Sequence, residues 1–190
     1  MKKLITLVVA SWVLFACQTK KEEAQHQHGT SQETAPADTV KKSIPKEEHA
    51  MMGDAHFTIQ YHAPAVRGRT IWGGLVPYGE VWVTGAHRAT SLEINRDILL
   101  NGNRVPAGKY AIFTIPGKDA WTVIINKKWD QHLADEYSQA EDVVRFDVKP
   151  DWIESVQERL NYAILTQGEG KGTLTFAWEK VRLVIAIEVV

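Results

Sequence analysis

"KYAIFTIPGKDAWTVIIN", residues 109–126, decides the fold. Two runs rich in Ile, Val, Thr and aromatics flank Pro116-Gly117-Lys118-Asp119. Such residues fit a pleated, half-buried surface and Pro-Gly reverses the chain, so the stretch reads as a β-hairpin. Outward from it the same signal repeats. "HFTIQYHA" (56–63) sets Phe57, Ile59 and Tyr61 on one face against His56, Thr58, Gln60 and His62 on the other. "SLEINRD", "DVVRFDVKP", "LNYAILTQ", "GTLTFAWEK" and "RLVIAIEVV" read as further strands. The apolar run Val181–Val190 belongs in a central strand. Asn101-Gly102 predicts a type I′ hairpin, because both central residues need positive φ. The Gly168–Gly172 segment joins its strands loosely. Only 128–142 and 151–159 leave room for short helices. Short strands about ten residues apart predict an all-β chain with a single antiparallel β-sandwich domain over residues 51–190. A partly closed β-barrel is the competing architecture.

The N-terminus has a different character. Lys2 and Lys3 precede an apolar run from Leu4 to Ala16, the length of a signal-peptide core and too short to span a bilayer. Cys17, the only cysteine, follows it directly and resembles the acylated cysteine of bacterial lipoproteins. Residues 1–16 therefore read as a lipoprotein signal peptide, with Cys17 as the lipid attachment site. Residues 17–50 then read as the acylated cysteine and a flexible polar linker, since they lack aromatics and periodicity. Lys20-Lys21-Glu22-Glu23 resembles signals that send some Bacteroidetes lipoproteins to the cell surface. The expected location is the outer membrane or cell surface, lipid-anchored, with a periplasm-facing anchor as the alternative. A net charge of -1 with interspersed basic residues offers no footprint for nucleic acid.

Four ordered segments carry a resemblance. "YHAPAVRGRTIWGGLVPYGEVWVTGAHRAT", "PAGKYAIFTIPGKDAWTVIIN", "EDVVRFDVKP" and "FAWEKVRLVIAI" resemble the bacterial domain of unknown function 2911, a family common in Bacteroidetes. The resemblance spans roughly 55–190 and implies an envelope-located β-rich domain with no assigned reaction. Two departures stand out. The family's Tyr-small-Arg-Pro motif is here Tyr61-His62-Ala63-Pro64, and its Trp-Arg-Thr-Gly-Ala-Asn motif is Trp82-Val83-Thr84-Gly85-Ala86-His87. Two arginines are absent and two histidines present. Guanidinium suits carboxylates and phosphates, whereas neutral imidazole suits Zn²⁺ and Cu²⁺.

These residues supply the candidate sites. His56 and His62 share a strand face but lie six residues apart, roughly 20 Å, too far to share an ion. The first metal candidate, for copper or zinc, is therefore His62 with His87, completed by Glu80 or another carboxylate. The second is the run "HAMMGDAH", with His49, Met51, Met52 and His56, since thioether sulfur selects Cu(I). Trp72, Tyr78 and Trp129, with Arg69, form the candidate aromatic site for a sugar or peptide. The opposing reading has the long loop folding over the end of the sandwich, so that these rings plug it.

No GxSxG elbow, HExxH or CxxC occurs in the chain. The reading therefore leans away from an enzyme. A non-catalytic ligand-binding role is expected, with a metal-assisted hydrolase built on the same histidines as the enzymatic alternative.

Overall fold

The computed structural model describes residues 42–190. The signal segment, Cys17 and the tether up to residue 41 lie outside the described residues. Ten strands form, β1 Ser43–Met52, β2 Ala55–Pro64, β3 Thr90–Ile94, β4 Ile98–Leu100, β5 Asn103–Val105, β6 Gly108–Ile115, β7 Trp121–Asn126, β8 Asp142–Val148, β9 Asp151–Gly168 and β10 Lys171–Val189. They make two sheets, a six-stranded one in the order β1-β2-β3-β6-β7-β8 and a four-stranded one in the order β5-β4-β10-β9. Every pairing within them is antiparallel. The sheets do not close on each other, so the sandwich forms and the barrel does not.

The hydrophobic effect explains why they stack. Phe57, Ile59, Leu92, Ile112, Trp121 and Val123 from one sheet meet Leu160, Tyr162, Phe176, Trp178 and Leu183 from the other, all buried in one cluster. Burying each such side chain contributes about 1.5–3 kcal/mol. Strands β6 and β7 are covered on both faces. Ala111, Phe113 and Ile124 form a smaller cluster behind the sheet under the segment carrying Ala134 and Tyr137. That double cover is why "YAIFTI" is continuously apolar rather than alternating.

Four expectations need correction. The sheet starts at Ser43, not at 51, so residues 43–50 are strand β1 rather than linker. Its inward positions include Lys46 and Glu48, which mask the alternation of Ile44, Ala50 and Met52. Lys46 Nζ donates to Asn161 Oδ1 on β9 at 3.2 Å, so a charged residue serves where an apolar one was sought. Residues 151–159 are extended in β9, and the described helical structure is one 3₁₀ turn, Gln139–Glu141. "GTLTFAWEK" and "RLVIAIEVV" are one strand, β10, interrupted by a bulge around Glu179 (φ +54). The β9–β10 connection is tight, since Glu169 and Gly170 both take positive φ. As expected, β10 is central, and Asn101 and Gly102 are left-handed in the β4–β5 hairpin.

Candidate functional site

The segment 82–89 lies outside the strands, yet it is tightly held. Thr84 is buried and left-handed (φ +51), an unfavourable conformation for a β-branched residue. Hydrogen bonds fix it there. Its carbonyl accepts from Tyr162 Oη at 2.9 Å and Thr90 Oγ1 at 3.0 Å, and its hydroxyl lies 3.0 Å from Thr114 Oγ1. Trp82 Nε1 donates to the Gly85 carbonyl at 3.1 Å. Gly85 presses against β2. A Cβ there would stand 2.8 Å from Thr90 Oγ1 and 3.3 Å from the His62 carbonyl. This close approach, which only glycine allows, carries the following residues to His62.

The result is a histidine pair. The ring centres of His62 and His87 lie 5.3 Å apart in an edge-to-face arrangement, with 85° between the planes. His87 is left-handed (φ +64) and exposed. Its Nε2 lies 2.7 Å from Ser43 Oγ on β1, and its carbonyl accepts from the Leu133 N–H at 2.7 Å. Burial lowers the pKa of His62, and the neighbouring His87 and then Arg88 lower it further. His62 is therefore neutral near pH 7 with a lone pair available.

A cleft flanks each ring. His62 lines one of about 400 Å³, with Gln60, Tyr61, Arg88 and Trp129. His87 lines the other, about 550 Å³, floored by Trp82, Val83 and Trp178 and rimmed by Arg69, Leu75 and Leu133.

The structure brings some sequence candidates together and separates others. His62 and His87 meet. Glu80 is exposed and lines neither cleft, and no three His, Cys, Asp or Glu cluster as a metal site among the described residues. His49, Met51 and His56 sit on the exposed side of the β1–β2 hairpin, where Met51 pairs directly with His56. Met52 points the other way and is buried, because neighbours on a strand face opposite sides. Both His49 ring nitrogens have partners, Thr58 Oγ1 at 3.2 Å and Glu47 Oε1 at 2.5 Å.

The aromatic candidates do not share a surface. Trp72 packs 4.7 Å from Trp121 and 5.6 Å from Trp178, centre to centre, while Trp82 stacks on Trp178 at 5.7 Å. With Ile71 and Val76 also buried, the loop plugs the end of the sandwich. Tyr78 is half-buried against Gly73. Trp129 is exposed beside the first cleft, with Lys109 Nζ 4.3 Å from its ring centre. Arg69 reaches the second cleft instead.

Sequence reasoning missed Ser43, Arg88 and Leu133. Ser43 fell inside the assumed linker, Leu133 has no motif, and Arg88, inside the first resembling segment, carries no signal of its own. Only the pairing of β1 with β2 and the Leu133–His87 bond could reveal them. The two positions of absent arginine face different apolar clusters, Ala63 the main core and Val83 the smaller one.

No curated protein and no solved structure matches this chain. The model of the family described as "Protein of unknown function (DUF2911)" matches residues 35–187. Covering most of the chain, that match identifies it as a member of the DUF2911 family.

Proposed function

We propose that this chain is a lipid-anchored cell-envelope protein whose sandwich binds a ligand without catalysis, and that His62 and His87 hold one transition-metal ion. The observation that carries the metal reading is the 5.3 Å between the ring centres. Two imidazoles bound at about 2.0–2.1 Å to one tetrahedral ion have ring centres about 5 Å apart. Ser43 supports the role. When Nε2–H donates to its hydroxyl, Nδ1 of His87 is the ligating atom, and ligating histidines commonly anchor their second nitrogen this way. Copper(II) is the tighter binder expected for imidazole ligands, with zinc next. With two protein ligands, the remaining positions fall to water or to a small ligand. Anchorage rests on Lys2, Lys3, the apolar run and Cys17, since two or three acyl chains hold a protein firmly at a membrane. The outer membrane or cell surface is the proposed location.

Equilibrium dialysis against limiting Cu²⁺ and Zn²⁺ tests the site. One ion per chain is expected, lost in His62→Ala and in His87→Ala. Binding unchanged in both variants removes the pair from the function and directs attention to His49, Met51 and His56. For the anchor, Cys17→Ala should move the protein from the membrane fraction to the soluble one.

A further inference from the structure

We propose that the 550 Å³ cleft on the His87 side binds a small amphiphilic carboxylate, with its apolar body on the tryptophan floor and its carboxylate at Arg69. The volume falls in the range of small-molecule sites, which combine an apolar lining with a few placed polar groups. Trp82, Val83 and Trp178 make the floor, and Leu75 and Leu133 stand at the mouth, 49% and 39% exposed. Folding gains little from large apolar side chains left in water, so their joint placement at one opening calls for another reason.

Leu133 sharpens the point. It holds a left-handed backbone (φ +48) that leucine disfavours, fixed by its bond to the His87 carbonyl. Strained residues that the surrounding structure over-determines concentrate at ligand clamps. Here the strain keeps an exposed leucine over an apolar cleft, and neither burial nor turn propensity accounts for it.

Charge selects the head group. Two cations, Lys42 and Arg69, line the cleft against one carboxylate, Asp135, which pairs with His132 Nδ1 at 3.0 Å. Arg69 is preorganised. Its Nε donates to the Val66 carbonyl at 3.1 Å and one terminal nitrogen to the Ala65 carbonyl at 2.5 Å. Carbonyls orient a guanidinium without neutralising it, and no carboxylate pairs with Arg69 among the described residues. A planar, always-charged fork beside an apolar floor matches a carboxylate on an apolar body.

Octanoate and 1-octanol titrated into the full chain, read by tryptophan fluorescence in excess EDTA, test this independently of the metal. Octanoate should saturate one site, and Arg69→Gln should weaken it about tenfold while leaving octanol unchanged, the loss of one charge-assisted contact. Leu133→Gly, which removes the side chain while relieving the backbone, should weaken both ligands without lowering the melting temperature. Arg69→Lys, which keeps the charge, should restore part of the octanoate affinity. No saturable octanoate binding overturns the proposal, as does equal weakening of octanoate and octanol by Arg69→Gln, or unchanged affinity in Leu133→Gly.

Discussion

Two places in this molecule turn the chain through left-handed backbone. At Asn101-Gly102 both residues tolerate that conformation, and the turn joins β4 to β5 and hydrogen-bonds Ala186 on β10. At Thr84 and His87 neither residue is glycine or asparagine, and the conformation holds because Tyr162, Thr90 and Leu133 hydrogen-bond its carbonyls. The first turn follows local preference. The second is imposed by the tertiary structure against it, and its product is an exposed imidazole beside a second one. Strain of this kind, roughly 1–3 kcal/mol per residue, persists only where the surroundings over-determine it.

Removing the support should therefore cost more than spoiling the simple turn. Tyr162→Phe leaves the fully buried ring in place but deletes the hydroxyl that Thr84 accepts from. A loss of about 1–3 kcal/mol is expected in chemical denaturation, with weaker metal binding, as befits a bond lost inside the core. Were Tyr162→Phe to leave both unchanged, the contrast between imposed and preferred turns would collapse.

Asn101→Ala comes next. It places alanine at φ +45 and removes the acceptor for the Ala186 N–H at 2.8 Å. About 1–2 kcal/mol should be lost, with metal binding untouched, because this turn serves only the fold. A fall in metal affinity here would show that the two regions are coupled.

His87→Gly and His87→Ala sharpen the contrast from the other side. Both should abolish metal binding, yet glycine should be the more stable by about 1 kcal/mol, since it accepts positive φ without strain. Equal thermal midpoints would mean that the backbone at 87 is unstrained.

The smallest effect concerns pH. Burial and the second imidazole lower the pKa of His62, so the unfolded chain takes up this proton at a higher pH than the folded chain. Below about pH 6.5, the ordinary value for histidine, stability should decline as pH falls. Copper binding should decline too, because protons compete for the same lone pairs. His62→Asn should flatten the stability profile in that window. A wild-type profile already flat there would mean that His62 is as open to water as a free imidazole.

Much of the architecture was legible in the chain. The hairpins around Pro116-Gly117 and Asn101-Gly102, the buried face of β2 and the central place of β10 follow from alternation and turn chemistry, which act over a few residues. β1 escaped because Lys46 and Glu48 occupy inward positions, and Lys46 meets the polar Asn161 on β9 rather than an apolar core. The extended state of 151–159 escaped because β9 there exposes Trp152 and Val156, which blurs the alternation. For the candidate site, the convergence of His62 and His87 was anticipated, but a carboxylate at Glu80 and a shared surface for Trp72, Tyr78 and Trp129 do not form.

By itself, the sequence determined the fold class, most strand positions, two of the turns and a lone cysteine behind an apolar run. Each depends on near neighbours, whose spacing is fixed by the geometry of a pleated chain. Only the tertiary structure decided that residues 62 and 87 meet, that Ser43 orients the second, that Trp72 plugs a core rather than presenting a face, and that Arg69 and Leu133 border one cleft. These depend on which strands pair and on where Gly85 lets two backbones touch, and local preference carries no record of contacts made across the fold.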